Sequence, residues 1–445
     1  MSIAICFGLF LCAVAGCVAV GWSPLPALLL GIVLFCGLGR SRGKSWREMG
    51  AMMAAEAKKL IPVLSVFLVI GAVMGLWRAS GTITFFIYYG IQVITPHIFV
   101  LVAFLLTAVL SYALGTAFGV TGTAGIILMA LARSGHVSAA ITAGAILSGA
   151  YFGDRCSPAS SSAALVAAIT ETDQRDNMKN MFRTGILPTA VTIAIYALVS
   201  WMNPIQGVDD RMLGVLAENY SMSLWTAAPA LIMLVLPLLH CSIRMTLTVS
   251  CGAAFLTAVL VQGMGVGETV YAALLGYTPQ APELTAILTG GGVASMLASS
   301  VLVVATGFYA GLLSGLGALD NARGLVEKLS VRWGLFPTMV VTCLAAGMTL
   351  CNQSIMVMMG EPLLRDLYDR KGLTHEELAV DLENSGIVLA ALIPWNIAGA
   401  IPLEMLGAGV SAIPWMVLLY MIPLCHGLTR KRIRCAGVEK KVRCA

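Results

Sequence analysis

The chain has 445 residues and a formal net charge of +5, but only 11% of its residues are charged. An ordinary soluble domain has about 25% charged residues. Apolar residues make up 58% of the chain and the mean hydropathy is +0.89. These values exclude a soluble globular protein and predict an all-α polytopic membrane protein. The positive charge lies between apolar segments without a basic, aromatic-bearing stripe, so we expect no nucleic-acid partner.

Apolar stretches of the length needed to cross a bilayer recur along the chain. About twelve transmembrane helices are predicted, near residues 3–20, 22–38, 59–77, 97–115, 138–168, 184–202, 223–239, 243–262, 285–316, 335–358, 384–407 and 411–427. The stretch 82–95 is short for a span and is typical of a re-entrant or tilted helix. No basic segment precedes the first apolar run, so we expect it to remain as a helix. The whole chain, 1–445, is interpreted as one integral membrane domain.

Lysines and arginines give the expected orientation, because cytoplasmic loops are enriched in both. One cluster follows the second span and another follows the last: Arg40, Arg42, Lys44 and Arg47, then Arg430, Lys431, Arg432 and Arg434. We therefore expect both termini in the cytoplasm, with 428–445 as a basic tail. The corresponding location is the cell membrane, as a multi-pass protein of the bacterial inner membrane.

The segment 148–162 places an acid and a proline inside an apolar run. Asp154 is costly near the bilayer centre unless it lines a polar cavity or has a partner. Pro158 removes a backbone donor and breaks the helix at the same place. Backbone groups freed by such a break must face protein, water or an ion. A broken helix combined with an acid indicates a transport site.

Similar interruptions occur in both halves of the chain. Residues 115–125, rich in Gly and Thr, and the segment around Pro158 interrupt the first half. Residues 349–358 and the Pro394-Trp395-Asn396 segment interrupt the second half. Paired breaks predict an inverted repeat with discontinuous helices and a binding site between the repeats. The expected halves are about 1–202 and 223–427, joined by the polar stretch 203–222.

Several sequence blocks together resemble the NhaC family of sodium/proton antiporters. They are 71–83 with Tyr88-Tyr89-Gly90, 115–125, 149–158, Leu382-Glu383-Asn384-Ser385-Gly386 and 392–396, in that order. The resemblance covers about residues 60–410. It implies a secondary transporter with an inverted repeat, discontinuous helices and cation exchange across the membrane.

One departure from the family pattern leaves the substrate open. Members commonly have a second acid and an asparagine after the Ser-Pro pair, where this chain has Ser161 and Ala164. A site with one carboxylate fewer holds a cation less tightly and repels an anionic solute less. An exchanger of a small organic anion or amino acid for sodium or protons is therefore the alternative.

Oxygen-bearing side chains at the breaks are the candidate ligands, because sodium prefers hard oxygen donors. Asp154 and Ser157 are the candidates for holding Na+ itself. The full set for a cation or substrate is Asp154, Ser157, Ser161, Thr116, Thr123, Asn352, Gln353, Glu383 and Asn396. Competition between Na+ and H+ for one intramembrane acid is sufficient for obligatory exchange by alternating access.

Structural alternatives remain open for these residues. Asp154 and Arg155 could form an ion pair that fills the site. Asn352, Gln353 and Asn396 could satisfy freed backbone groups, and Ser161 could merely permit close helix packing. Glu383 follows the charged stretch 361–383, which is expected to be a loop, and could be a solvated acid.

Other functional classes fit less well. An intramembrane aspartyl protease needs a second Asp in an apolar helix, and a channel needs filter-like short segments in an oligomer. The sequence predicts no enzyme and no cofactor apart from Na+ and H+ as transported ions. The expected partners are membrane lipid, a small cation and, in the alternative, a small organic solute; a homodimer is compatible with the sequence. The histidines, among them His426, are expected at the membrane interface, and Glu404 is a weaker functional candidate.

The charge distribution generates a test of topology. A reporter enzyme active only outside the cytoplasm, fused to residue 445, should give no activity because both termini are expected inside. Strong activity of that fusion, at an expression level matched to a cytoplasmically active reporter, would overturn the orientation.

Overall fold

The computed structural model describes residues 3–20, 22–93, 96–158, 160–204, 210–239, 241–317 and 322–430. All regular secondary structure in these ranges is helical, and the sole β contact within them is an isolated bridge between Tyr277 and Gly290. The all-α prediction is confirmed for this part of the chain. The predicted basic tail, 428–445, lies outside it after Arg430.

Eleven α-helices form the first half. They are α1 Ile3–Val20, α2 Leu25–Ser41, α3 Trp46–Lys59, α4 Ile61–Ala79, α5 Thr82–Val93, α6 Phe99–Leu114, α7 Ala117–Val120, α8 Ile126–Ser134, α9 Ala139–Cys156, α10 Ser161–Ile169 and α11 Gln174–Met202. A π-helical turn, Thr121–Gly125, joins α7 to α8.

Twelve α-helices follow. They are α12 Asp210–Asn219, α13 Ala228–Leu238, α14 Ile243–Leu260, α15 Val266–Leu275, α16 Thr285–Leu288, α17 Leu297–Gly315, α18 Ala322–Trp333, α19 Leu335–Leu350, α20 Gln353–Arg370, α21 His375–Leu382, α22 Ile397–Met405 and α23 Val417–Thr429. A second π-helical turn, Glu383–Ile387, continues α21.

Three uninterrupted helices in the described ranges are long and apolar enough to cross a membrane alone: Ala117–Ser134, Gln174–Met202 and Val293–Gly315. Two bent pairs also qualify if each is one span: Leu68–Ala79 with Thr82–Tyr89 at 60°, and His375–Leu392 with Ile397–Met405 at 52°. Other apolar helices are shorter because breaks divide the apolar stretches. The total of about twelve spans remains a prediction.

Two stretches differ from the sequence interpretation. Ala117–Ser134 is a continuous, largely buried helix, although its Gly and Thr residues were interpreted only as an interruption. The charged stretch 361–383 is not a loop, because α20 extends to Arg370 and α21 occupies most of the remainder. The charged residues of this stretch lie on α20 and α21, which pack against other helices. A high content of charged residues therefore did not identify a loop here.

Helices α6 and α9 pack closely against each other, and small residues permit this approach. A side chain added at Gly149 would overlap the backbone of Phe104, and one at Gly153 would overlap the backbone of Ser111. The Ser111 hydroxyl donates a hydrogen bond to the Ala150 carbonyl across this contact. The close approach fixes the position of the C-terminal end of α9, where Asp154 lies.

This packing predicts that Gly153→Ala destabilises the protein by about 1–3 kcal/mol, because the added methyl has no room without a backbone shift. The unfolding temperature of the purified protein in detergent should fall. Gly37→Ala, in a helix where no atom lies within 4 Å of the added carbon, is the matched control and should not lower it. Equal unfolding temperatures for the two variants would contradict the packing argument.

Candidate functional site

The first and third breaks have the same local geometry. After α6, Gly115 adopts a left-handed conformation (φ 68°), and Thr116 then caps α7 by accepting a hydrogen bond from the Gly119 amide at 3.3 Å. After α19, Cys351 is left-handed (φ 56°), and Asn352 caps α20 through the Ile355 amide at 3.2 Å. Each break reverses the chain and satisfies the first backbone donors of the next helix.

The second and fourth breaks are also capped by side chains. The second follows α9, and Ser160 caps α10 by accepting hydrogen bonds from the amides of Ser162 and Ala163. The fourth precedes α22, and the Asn396 side chain accepts from the Ala398 amide at 3.0 Å. Polar side chains therefore stand at each helix start inside the apolar interior.

Hydrogen bonds and packing bring the break regions together. The Ile397 amide donates to the Cys351 carbonyl at 2.9 Å, which joins the fourth break to the third. The Tyr151 hydroxyl, on α9 one turn before Asp154, donates to the Ala398 carbonyl at 2.5 Å. Helix α22 and α9 also pack against α7 and the first π-helical turn. All four interruptions thus belong to one packed centre.

Asp154 lies in this centre and is 7% exposed. The Ser162 hydroxyl donates to its carboxylate at 3.0 Å, and the side-chain amide of Gln353 approaches the same carboxylate. The Ser160 hydroxyl donates to the Asp154 main-chain carbonyl at 2.5 Å. The acid is therefore held by neutral polar groups from α10 and α20, without a counter-ion among the described residues.

The serines after Asp154 differ in placement. Ser157 is buried at the end of α9, where its amide donates to the Gly153 carbonyl at 2.8 Å. Ser161 is the first residue of α10 and is exposed, whereas Ser162 faces Asp154. The family pattern predicts that the residue at position 161 contacts the ion. The register of α10 instead places the Ser162 hydroxyl at Asp154. That register could be found only by knowing where α10 begins.

Glu383 is fully buried at the start of the second π-helical turn, and neither carboxylate oxygen has a hydrogen-bond partner. Its charge interacts with those of Asp154 and Arg155. The alternative of a solvated loop acid is wrong, because the surrounding stretch is a buried helix. π-Helical turns recur at functional sites, where they redirect side chains out of the regular helical register.

Arg155 does not form an ion pair with Asp154. Its guanidinium donates to Asn384 Oδ1 at 2.6 and 3.1 Å, to the Thr184 hydroxyl at 2.8 Å and to the Met181 carbonyl at 3.0 Å. These partners are neutral, so the arginine is anchored beside the two carboxylates without occupying either. The alternative of an Asp154–Arg155 ion pair is thus not found in the described structure.

The remaining predicted residues serve the backbone in this structure. The Thr123 hydroxyl donates to the Gly119 carbonyl at 2.8 Å, and the Asn396 amide donates to the Gly347 carbonyl at 3.1 Å. Gln353 has two contacts, because its amide also donates to the Ile387 carbonyl at 2.8 Å. Gln353 therefore connects α20, the π-helical turn and Asp154, whereas Thr116 and Asn352 act as helix caps.

A second buried polar cluster was missed by the sequence interpretation. Asp381, 1% exposed, accepts from His426 at 2.7 Å, from Arg430 at 2.6 Å and from the Tyr368 hydroxyl at 2.5 Å. His426 is buried and paired with this acid in the last turn of α23, and its expected position at the membrane interface remains a prediction. The sequence signal for this cluster is the position of Asp381 between the apolar residues Val380 and Leu382. Glu404, the weaker functional candidate from the sequence, is exposed.

Comparison with known proteins gives several relatives that span nearly the whole chain. The malate-2H+/Na+-lactate antiporter of Bacillus subtilis (strain 168) is 27% identical over 419 residues, covering 92% of this chain and 88% of that protein. The Na+/H+ antiporter NhaC of Alkalihalophilus pseudofirmus is 25% identical over 407 residues, covering 90% and 87%. The arginine/ornithine antiporter ArcD of Halobacterium salinarum is 26% identical over 420 residues, covering 92% and 87%.

The family model described as the Na+/H+ antiporter family matches residues 2–201 and 149–427. The two matches together include every break, Asp154 and Glu383. The resemblance seen in the sequence blocks is therefore confirmed. The chain is an integral membrane transporter and not an enzyme, and it belongs to the Na+/H+ antiporter family.

Proposed function

We propose that this transporter exchanges Na+ for H+ at a site formed by Asp154 and Glu383. The single observation that carries the proposal is the pair of buried carboxylates, neither in a salt bridge among the described residues, at the meeting point of the helix breaks. Arg155 lies beside them with its hydrogen bonds directed to neutral groups, and its single positive charge offsets at most one of the two negative charges. Burial of the remaining negative charge costs several kcal/mol, and a bound cation or a proton would remove most of that cost.

The ligands around this acid pair suit a small hard cation. The Asp154 and Glu383 carboxylates and the Ser162 hydroxyl would supply oxygen ligands. Ser157, buried three residues after Asp154, is a further candidate. Protonation of an acid would remove its charge and hence the attraction for Na+, so the two ions compete and exchange is coupled.

The matching helix breaks support alternating access. We propose that the halves 1–202 and 223–427 are inverted repeats. Each half has a break at which a residue in the left-handed conformation is followed by a residue whose side chain caps the next helix. Movement of one set of broken helices against the other would open the acid pair to each side in turn. The cell membrane, with both termini cytoplasmic, is the proposed location.

A second candidate is exchange of a small organic anion or amino acid coupled to Na+ or H+. Two observations favour it. The relatives include antiporters named for malate and lactate at 27% identity and for arginine and ornithine at 26%, against 25% for a Na+/H+ antiporter. The chain also has Ser161 in place of the family's second acid. Proteoliposome exchange with Na+, Li+, K+, malate, lactate and arginine at two pH values separates the two candidates.

Removal of either titratable charge should abolish coupling. Asp154→Asn and Glu383→Gln keep the side-chain shape, so both proteins should insert and purify normally while Na+-driven proton movement falls to the level of empty liposomes. Glu218→Gln, at an exposed acid, is the matched control and should exchange like the wild type. Wild-type exchange by Asp154→Asn would place the coupling acid elsewhere.

The register of α10 generates a second test. Ser162→Ala removes the hydroxyl that donates to Asp154, and a hydrogen bond to a charged group contributes about 1.5–3 kcal/mol. We expect the apparent Na+ affinity for exchange to fall by about tenfold or more. Ser161→Ala alters the adjacent exposed hydroxyl and should leave the affinity unchanged. The reverse order of effects would show that Ser161 faces the ion.

A further inference from the structure

A small cavity lies apart from the acid pair, between four helices. Its volume is about 80 Å³, and it is partly open; it is lined by residues of α4, α5 and α8, by the last residues of α22 and by the two residues that follow α22. About half of its wall is apolar, and this part is formed by Met74, Ile83, Ile126, Met129 and Met405. Two arginines and one acid, Arg78, Arg133 and Glu404, complete the lining.

The two arginines have no carboxylate partner. Arg78 is 7% exposed and donates to the Met74 carbonyl at 2.8 Å, but its Nε–H group is buried without a hydrogen-bond partner. Arg133 donates to the carbonyls of Leu406 and Gly407 at 2.8 and 3.0 Å. In the described ranges neither guanidinium forms a salt bridge, and the two positive charges repel each other.

Glu404 does not balance this charge. It lies on the cavity wall, but its carboxylate makes no hydrogen bond or ion pair with a described residue. Two positive charges therefore face one negative charge around the same cavity. The burial of Arg78 strengthens the resulting field, because charges interact more strongly where little water is present. The cavity is one negative charge short of neutrality.

We propose that this cavity binds a small anion, of the size of a carboxylate group or a halide ion, between Arg78 and Arg133. The planar guanidinium group is suited to carboxylate oxygens because its donors form a rigid fork. A cavity of this volume holds on the order of two or three water molecules, which is also the room that a carboxylate group requires. The site is distinct from the acid pair and does not depend on which ion is exchanged there.

Thermal unfolding of the purified full-length protein in detergent tests this site. The starting salt is sodium 2-(N-morpholino)ethanesulfonate, whose anion is bulky and carries no carboxylate, and acetate or chloride replaces it at constant Na+ and ionic strength. Binding to the folded state should raise the unfolding temperature in a saturable way. A response to acetate alone identifies a carboxylate site, a response to chloride alone a halide site, and a response to both a general anion site.

Variants of the three charged residues at the cavity should change the affinity for the anion in different directions. Arg78→Gln and Arg133→Gln should each weaken anion binding by about tenfold or more, because a charge-assisted contact is lost. Glu404→Gln removes the competing negative charge and should strengthen binding. Arg47→Gln, at an exposed position on α3, is the matched control and should respond like the wild type.

The direction of the Glu404→Gln effect keeps the test decisive if an arginine variant does not fold. Equal unfolding temperatures in all three salts for the wild type would overturn the proposal. So would a wild-type anion response in both arginine variants, or weaker anion binding in Glu404→Gln.

Discussion

The burial of two carboxylates, Asp154 and Glu383, without a salt bridge among the described residues is the constraint on which the rest of the structure depends. The two acids can be buried only if the surrounding backbone is polar enough to tolerate them, and helix breaks provide that polarity. The breaks in turn require caps, which Thr116, Ser160 and Asn396 supply for three of the new helix starts. The cost of the broken backbone is thus met locally, so the carboxylates remain available for a mobile ion.

Arg155 shows how a positive charge can lie near the acids without replacing that ion. Its hydrogen bonds go to Asn384, Thr184 and a main-chain carbonyl, which fix the guanidinium in position. A salt bridge with Asp154 would occupy the acid and remove the requirement for a cation. A fixed neighbouring positive charge instead lowers the attraction of the site for cations and so favours release, while the two carboxylates favour binding. Transport requires both.

The sequence predicted the breaks better than it predicted their partners. Glycine, proline and capping side chains within apolar runs are local signals, and they located the interruptions near Asp154, Asn352 and Asn396. The contacts between Asp154 and Gln353, and between Arg155 and Asn384, join residues about two hundred or more positions apart. A single sequence contains no signal of that pairing. The charged segment containing Glu383 looked solvated because composition does not show which helix face packs inward.

The position of Glu383 changes the significance of Ser161. From the sequence, the absence of an acid at Ser161 implied a site with one carboxylate fewer than its relatives. In the fold, Ser161 is exposed and Glu383 lies near Asp154, so the packed centre contains two acids despite the substitution. The number of charges at a site is a property of the assembled helices and not of one motif. A missing acid in an aligned block therefore does not by itself argue against cation exchange.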